Sequence, residues 1–115
     1  VRFGAMASDA VAAGVRWIHA TNTLPVAHGG MSGAPLKPLA LDAVAWLRQE
    51  FGADLGIIGG GGIRSAADIA EFAHAGADRF AVGTYAMRPA ALRSDDWVSD
   101  LLAAAIRHES AAQLA

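Results

Sequence analysis

Three short apolar runs recur along the chain, each followed by a turn rich in small or polar residues. They lie at residues 15–21, 55–58 and 79–82. Short apolar runs bounded by glycine or polar turns predict buried strands. Ala-Gly pairs at residues 13–14 and 75–76 precede the first and third runs, so these two regions form a weak internal repeat of helix end and strand.

Helical patterns separate these runs. Residues 5–13 are Ala-rich, and the apolar positions from Ala40 to Phe51 recur every three or four residues, which predicts one buried helical face. Ser65 is a preferred N-cap, and Asp68 completes a capping-box pattern for a helix ending at Gly76. A last helix opens on an acidic pair and is expected to fray after Arg107. Its expected buried side comprises Val98, Leu101, Leu102 and Ala105.

The order of these elements predicts the fold class. Strands and helices that alternate with short links form βα units on a parallel sheet. Ligands bind such folds at the C-terminal ends of the strands. The chain has 115 residues, whereas a whole (β/α)8 barrel has about 250. We expect an α/β fold in which residues 1–115 are part of a barrel domain, with its N-terminal part missing.

Composition narrows the function. The net charge is -2 and Lys37 is the only lysine, which argues against a nucleic-acid partner. There is no Cys, and no His, Asp or Glu cluster has metal-ligand spacing. No apolar run approaches the roughly 18 residues that span a bilayer, so we expect a cytoplasmic protein. No nucleophile–base pair is evident either.

Three glycine motifs stand out, at residues 29–33, 59–63 and 82–84. Glycine turns can bring several backbone N–H groups around one anion, most often a phosphate. Plain βα turns are the alternative for the second and third motifs, and a mobile linker for the first. Four successive glycines from Gly59 to Gly62 exceed what a turn needs, which favours phosphate binding.

Polar side chains near these motifs allow two interpretations. Asn22 and Thr23 can hydrogen-bond a planar polar ligand or form an Asx-type turn. We interpret His19 as a packed core residue rather than a catalyst, and Lys37 as a surface charge at a helix start. Asp78, which precedes a strand, is expected to be structural.

Taken in order, these motifs resemble the C-terminal part of dihydroorotate dehydrogenase, at about strands 6–8 of its TIM (β/α)8 barrel. The residues that carry the resemblance are Thr21-Asn22-Thr23, Gly29 to Gly33, Lys37-Pro38, Ile57 to Ile63 and Gly76 to Thr84. It implies an FMN-dependent enzyme that oxidises dihydroorotate to orotate in pyrimidine (UMP) biosynthesis. A related FMN barrel such as a dihydropyrimidine dehydrogenase-like enzyme, a phosphate-binding isomerase or lyase, and a non-enzymatic module are the alternatives.

The resemblance also assigns roles to individual residues. The residues implied to hold the FMN phosphate are Gly61, Gly62, Gly83 and Thr84. Gly33 would line the flavin site, Thr21 would lie against the flavin, and Asn22 and Thr23 would hydrogen-bond the pyrimidine. The family's catalytic base and a flavin-contacting Lys have no counterpart here and would lie upstream of Val1. We therefore expect the chain alone to be inactive and to need its other half, with a homodimer as a further possibility.

Overall fold

The computed structural model describes residues 3–21, 24–26, 29–31 and 33–114. The helices are α1 (Phe3–Ala12), α2 (Lys37–Phe51), α3 (Ala66–Ala75), α4 (Pro89–Arg93) and α5 (Asp96–Leu114). The strands are β1 (Trp17–His19), β2 (Leu24–Val26), β3 (Gly29–Met31), β4 (Gly56–Gly60) and β5 (Arg79–Ala81). Short 3-10 turns lie at Ala34–Leu36, Gly52–Asp54 and Thr84–Met87. The predicted alternation of strands and helices is confirmed.

Three strands form the predicted parallel sheet, in the order β1-β4-β5. Ile18 is paired with Ile57, and Ile58 with Arg79, so β4 is the central strand. The glycine run begins within β4 rather than after it. A second difference is the antiparallel β2-β3 hairpin, which lies in the stretch expected to be a loop. Short extended pairs of this kind carry too little periodicity to be seen in sequence.

One face of the parallel sheet is covered by helices and holds the core. Ala40, Val44 and Leu47 of α2 are fully buried, which confirms the predicted face of that helix. Residues of β4 and α3 complete the cluster, among them Ile57, Ile69 and Phe72. A Cβ atom added to Gly59 would lie 2.8 Å from the Phe72 ring and 2.9 Å from the Ala77 Cβ. The glycine at this position therefore allows α3 to pack closely on the sheet.

The other face of the sheet carries Trp17, His19, Ile58 and Arg79, and we call it the open face. Trp17 is 49% exposed, and the Arg79 guanidinium lies 5.6 Å from the centre of its ring. His19 is exposed as well, so within this chain it does not belong to the packed core, contrary to its interpretation from sequence. The reason is non-local, because side chains alternate along β1 and the helices cover only the face that bears Ile18.

The last helix differs from expectation in two ways. Among the residues of α5 whose burial is described, Leu101 and Ala104 are buried, whereas Val98 and Leu102 are 43% and 56% exposed. The helix also continues past Arg107 to Leu114. Within this stretch, Glu109 forms a 2.9 Å ion pair with Arg79 of β5.

An arginine clamp fixes the start of the sheet. The Arg48 side chain donates hydrogen bonds to the carbonyl oxygens of Gly76, Gly52 and Leu55 and pairs with the Asp78 carboxylate. The same Asp78 oxygen accepts a 3.0 Å hydrogen bond from the backbone of Ile57. Asp78 is therefore structural, as predicted, and the clamp ties α2, β4 and the end of α3 together.

Candidate phosphate-binding site

The glycine run turns sharply where β4 ends. Gly61 and Gly62 have φ angles of 110° and 88°, which L side chains rarely adopt. A Cβ added to Gly62 would lie 2.9 Å from the Gly33 carbonyl oxygen and 3.0 Å from the Ala34 Cα. A Cβ on Gly61 would lie 3.1 Å from the side chain of Leu36. The turn therefore has no room for side chains, because it lies directly against the segment that leads into α2.

The first glycine motif meets the third at Gly33. Gly33 has a φ of 76°, and a Cβ on it would lie 3.3 Å from the Thr84 methyl group. Its carbonyl oxygen accepts a 3.0 Å hydrogen bond from Leu36 N, which starts the 3-10 turn before α2. Gly33, Gly62 and Thr84 come from three different loops, and the fold brings them together.

A cavity of about 290 Å³ lies where these loops converge, beyond the C-terminal ends of β4 and β5. It is lined by His19, Gly33, Gly60, Gly61, Gly62, Ala81, Val82, Gly83 and Thr84. All the predicted phosphate-site residues, and Gly33 with them, thus border one space. We call this set of loops, Gly33, Gly60 to Gly62 and Val82 to Thr84, the glycine cradle.

Two further groups adjoin the glycine cradle. The Thr21 hydroxyl donates a 3.2 Å hydrogen bond to the Gly60 carbonyl oxygen, which ties the end of β1 to the end of β4. His19 lies on the same side, since a Cβ on Gly60 would be 3.2 Å from His19 Nε2. His19 was not predicted to be a site residue. Its position two residues before Thr21 was the available signal, because alternate residues of an extended chain share a face.

Asn22 and Thr23, the predicted pyrimidine contacts, lie outside the described residues, and their role stays a prediction. Within the described residues, no group of three or more His, Cys, Asp or Glu side chains is arranged to hold a metal ion. In the same part of the chain, no helix combines the length and apolar character that a membrane span requires.

Lys37 lies behind the glycine cradle and is neutralised there. Its ammonium group pairs with Asp68 at 2.5 Å and with Glu71 at 2.8 Å. Hydrogen bonds to these carboxylates raise the pKa of Lys37 above its ordinary value. Burial acts to raise the pKa of Asp68, but hydrogen bonds from Lys37 and Arg64 outweigh it and leave that pKa lowered. The pairs join α2 to α3 on either side of the glycine run, and Lys37 is more than the surface charge expected.

Parallel βα units with glycine loops gathered at the C-terminal strand ends place this chain among the α/β proteins that bind ligands at that edge. Residues 7–95 match the family model described as Dihydroorotate dehydrogenase, which is more than half of the chain. The chain belongs to the dihydroorotate dehydrogenase family.

Individual relatives match over a shorter stretch. The chain is 53% identical over 58 residues to the dihydroorotate dehydrogenase B (NAD(+)) catalytic subunit of Methanopyrus kandleri, covering 50% of this chain and 18% of the relative. It is 50% identical over 56 residues to the mitochondrial dihydroorotate dehydrogenase (quinone) of Schizosaccharomyces pombe, covering 49% and 13%. The chain thus matches less than a fifth of either relative. The two names specify different electron acceptors, so similarity in this region does not distinguish them.

Solved structures show the same fold. Ligand-free DHODH from Eimeria tenella superposes with a TM-score of 0.69 at 25% identity, covering 84% of this chain and 29% of that one. The same enzyme in complex with ferulenol gives a TM-score of 0.70 at 24% identity, covering 84% and 27%. The α/β architecture with a parallel sheet is therefore shared with these barrel enzymes over most of the chain.

Proposed function

We propose that this chain forms the FMN phosphate-binding part of an enzyme that oxidises dihydroorotate to orotate in pyrimidine (UMP) biosynthesis. The observation that carries the proposal is the convergence of three glycine motifs on one cavity of about 290 Å³. Membership of the dihydroorotate dehydrogenase family supplies the reaction.

The residues present fit the phosphate end of FMN. Gly61 and Gly62 line the cavity with backbone alone, and an added Cβ would be crowded at Gly61, 3.1 Å from Leu36, and too close at Gly62, 2.9 Å from the Gly33 carbonyl oxygen. Gly83 lines the same cavity, and a Cβ on it would meet nothing within 4 Å. Close, bare backbone is what binding of an anion by N–H groups requires. Thr84 lines the same cavity, and its hydroxyl can hydrogen-bond a phosphate oxygen.

Each remaining predicted residue has a role in this proposal. FMN, when bound, supplies the hydride acceptor for the oxidation of dihydroorotate. Thr21 and Gly33 border the flavin, with Thr21 positioned by its hydrogen bond to Gly60. Asn22 and Thr23 hydrogen-bond the pyrimidine. The chain's contribution is to orient cofactor and substrate, which by itself supplies a large part of the rate enhancement in such reactions.

The open face supports a place within a barrel. Trp17, His19, Ile58 and Arg79 are the side chains that would point to the interior of a closed sheet. We propose that residues 1–115 supply about strands 6–8, and that strands outside this chain pair with the free edges of β1 and β5. Those strands would carry the catalytic base. A homodimer and a cytoplasmic location remain predictions.

An FMN titration followed by flavin fluorescence tests the proposal. It is made on the 115-residue chain and on the encoded polypeptide with any natural flanking sequence retained. We expect saturable FMN binding, tighter in the polypeptide that completes the barrel, and dihydroorotate-dependent flavin reduction there. Absence of FMN binding in both, together with binding of a phosphorylated sugar such as ribose 5-phosphate, would instead support a phosphate-binding isomerase or lyase.

A further inference from the structure

A second cavity adjoins the glycine cradle and is basic. It has a volume of about 260 Å³ and is lined by Gly33, Ala34, Gly62, Ile63, Arg64, Gly83, Thr84, Tyr85 and Arg88. Two of these residues carry guanidinium groups, and none carries a carboxylate. A cavity lined by backbone and guanidinium groups, with no carboxylate among the lining residues, favours the binding of an anion.

Two acids close to this cavity are already engaged. Asp68 and Glu71 line a neighbouring space of about 700 Å³ together with Arg64 and Arg88, and both carboxylates accept hydrogen bonds from Lys37. The backbone N–H of Arg64, and not its guanidinium, donates a 2.8 Å hydrogen bond to the Asp68 carboxylate. Among the described residues, neither Arg64 nor Arg88 forms an ion pair with a carboxylate. Neither guanidinium is therefore held by a direct ion pair, and both border the basic cavity.

Arg88 is held in place by its own neighbours. Its Nε donates a 2.9 Å hydrogen bond to the Tyr85 carbonyl oxygen, and its Cζ lies 3.4 Å from the centre of the Tyr85 ring. Trp97 of α5 packs edge-on against that ring at 5.6 Å. Arg64, by contrast, is exposed, whereas Arg88 is partly buried. A stacked guanidinium loses little freedom when it binds an anion, which makes Arg88 the stronger candidate.

We propose that Arg88 is a specificity-determining residue that binds the phosphate group and selects the phosphorylated flavin over the unphosphorylated one. Its free Nη groups supply charge-assisted hydrogen bonds beside the backbone N–H groups of Gly62 and Gly83. Arg64 adds a second, more exposed positive charge. The identity of the ligand as a flavin rests on the proposed function, whereas the selection for phosphate rests on the cavity and its charges.

The test compares FMN with riboflavin in Arg88→Gln, measured on the encoded polypeptide. We expect the dissociation constant for FMN to rise about 10- to 100-fold, as loss of a hydrogen bond to a charged group predicts. Riboflavin affinity should stay within about twofold, because riboflavin lacks the group that Arg88 binds. Arg88→Lys keeps the positive charge but lacks the planar guanidinium that stacks on Tyr85. Its dissociation constant for FMN should therefore lie between those of wild type and Arg88→Gln. Arg93→Gln, an exposed arginine on α4 removed from the cavity lining, is the matched control and should change neither affinity.

A thermal unfolding midpoint of Arg88→Gln without ligand reports any loss of folding. Equal losses for FMN and riboflavin, or no loss for either, would overturn the role of Arg88. A second titration with inorganic phosphate separates this inference from the proposed function. If the wild type binds phosphate but no flavin, and phosphate binding weakens in Arg88→Gln, the anion site is supported and the assignment of a flavin is refuted. A wild type that binds neither phosphate nor FMN refutes both.

Discussion

Replacing Gly62 by alanine tests whether the close backbone packing of the glycine cradle matters. The residue has a φ of 88°, and its added Cβ would lie 2.9 Å from both the Gly33 carbonyl oxygen and the Lys37 Cβ. One of these contacts is to backbone, which moves less easily than the end of a side chain. The substitution must therefore displace the segment that carries Gly33, and with it one wall of the cavity.

The expected loss of unfolding free energy in Gly62→Ala has two parts. An L residue held at a left-handed φ costs about 1–2 kcal/mol, and overpacking a filled site adds about 1–3 kcal/mol. Gly14 supplies the control, because its φ is 103° but a Cβ there would meet nothing within 4 Å. Gly14→Ala should lose only the first part, about 1–2 kcal/mol. The difference between the two variants measures the crowding alone.

Urea unfolding gives the two stabilities, and an FMN titration of each folded variant gives the affinities. We expect Gly62→Ala to be the less stable by about 1–3 kcal/mol and to bind FMN more weakly, while Gly14→Ala binds like wild type. Gly62→Val should bind no FMN, because a β-branched residue fits a positive φ still less well. Equal stabilities for the two alanine variants, with unchanged FMN affinity in both, would refute the close packing and the phosphate role together.

Further predictions concern the residues that support the site. Arg48→Met should lose about 2–4 kcal/mol of unfolding free energy in urea, because it removes the guanidinium hydrogen bonds to three carbonyl groups and the ion pair to Asp78, which keeps only its bond from the Ile57 backbone among those described. A loss no larger than that of Arg93→Met would contradict this. Ser65→Ala should lose about 0.5–1 kcal/mol, at the low end for an N-cap because the hydrogen bond to Asp68 N is 3.3 Å long, and Ser65→Asp should restore it. Because the pKa of Asp68 is lowered in the folded protein, its ionised carboxylate stabilises the fold at pH values above the unfolded pKa. This contribution is lost as the pH falls through the folded pKa. The stability advantage of wild type over Asp68→Asn should therefore shrink below about pH 4, and an advantage unchanged at pH 2 would contradict it. The raised pKa of Lys37 acts in the opposite direction, since its contribution is present below pH 10.5 and is lost as pH rises through the folded value.

What could be predicted from sequence was set by local interactions. The buried face of α2 follows from its periodicity, and the cap at Ser65 and the end of α3 at Gly76 follow from residue type. The gathering of the glycine motifs followed from the fold class, because parallel βα units place successive loops at one edge. The exposure of His19 and of Leu102 depended on which neighbours cover each face. Such neighbours are distant in sequence, so no local pattern reports them.

The basic side of the site illustrates the same limit at the level of function. The family match ends at residue 95, whereas Trp97, which packs against the Tyr85 ring, follows it on α5. The Arg88 guanidinium stacks on that ring, so a helix beyond the matched residues supports one wall of the basic cavity beside the glycine cradle. The glycine motifs identify the family because backbone geometry leaves a fixed residue signature. The stack of Trp97, Tyr85 and Arg88 leaves none, since it arises only when α5 folds back beside the cradle. Under the proposals made above, discrimination between ligands that share the flavin ring is therefore expected to depend on this stack, whereas the glycine cradle would bind a phosphate group whichever molecule carries it.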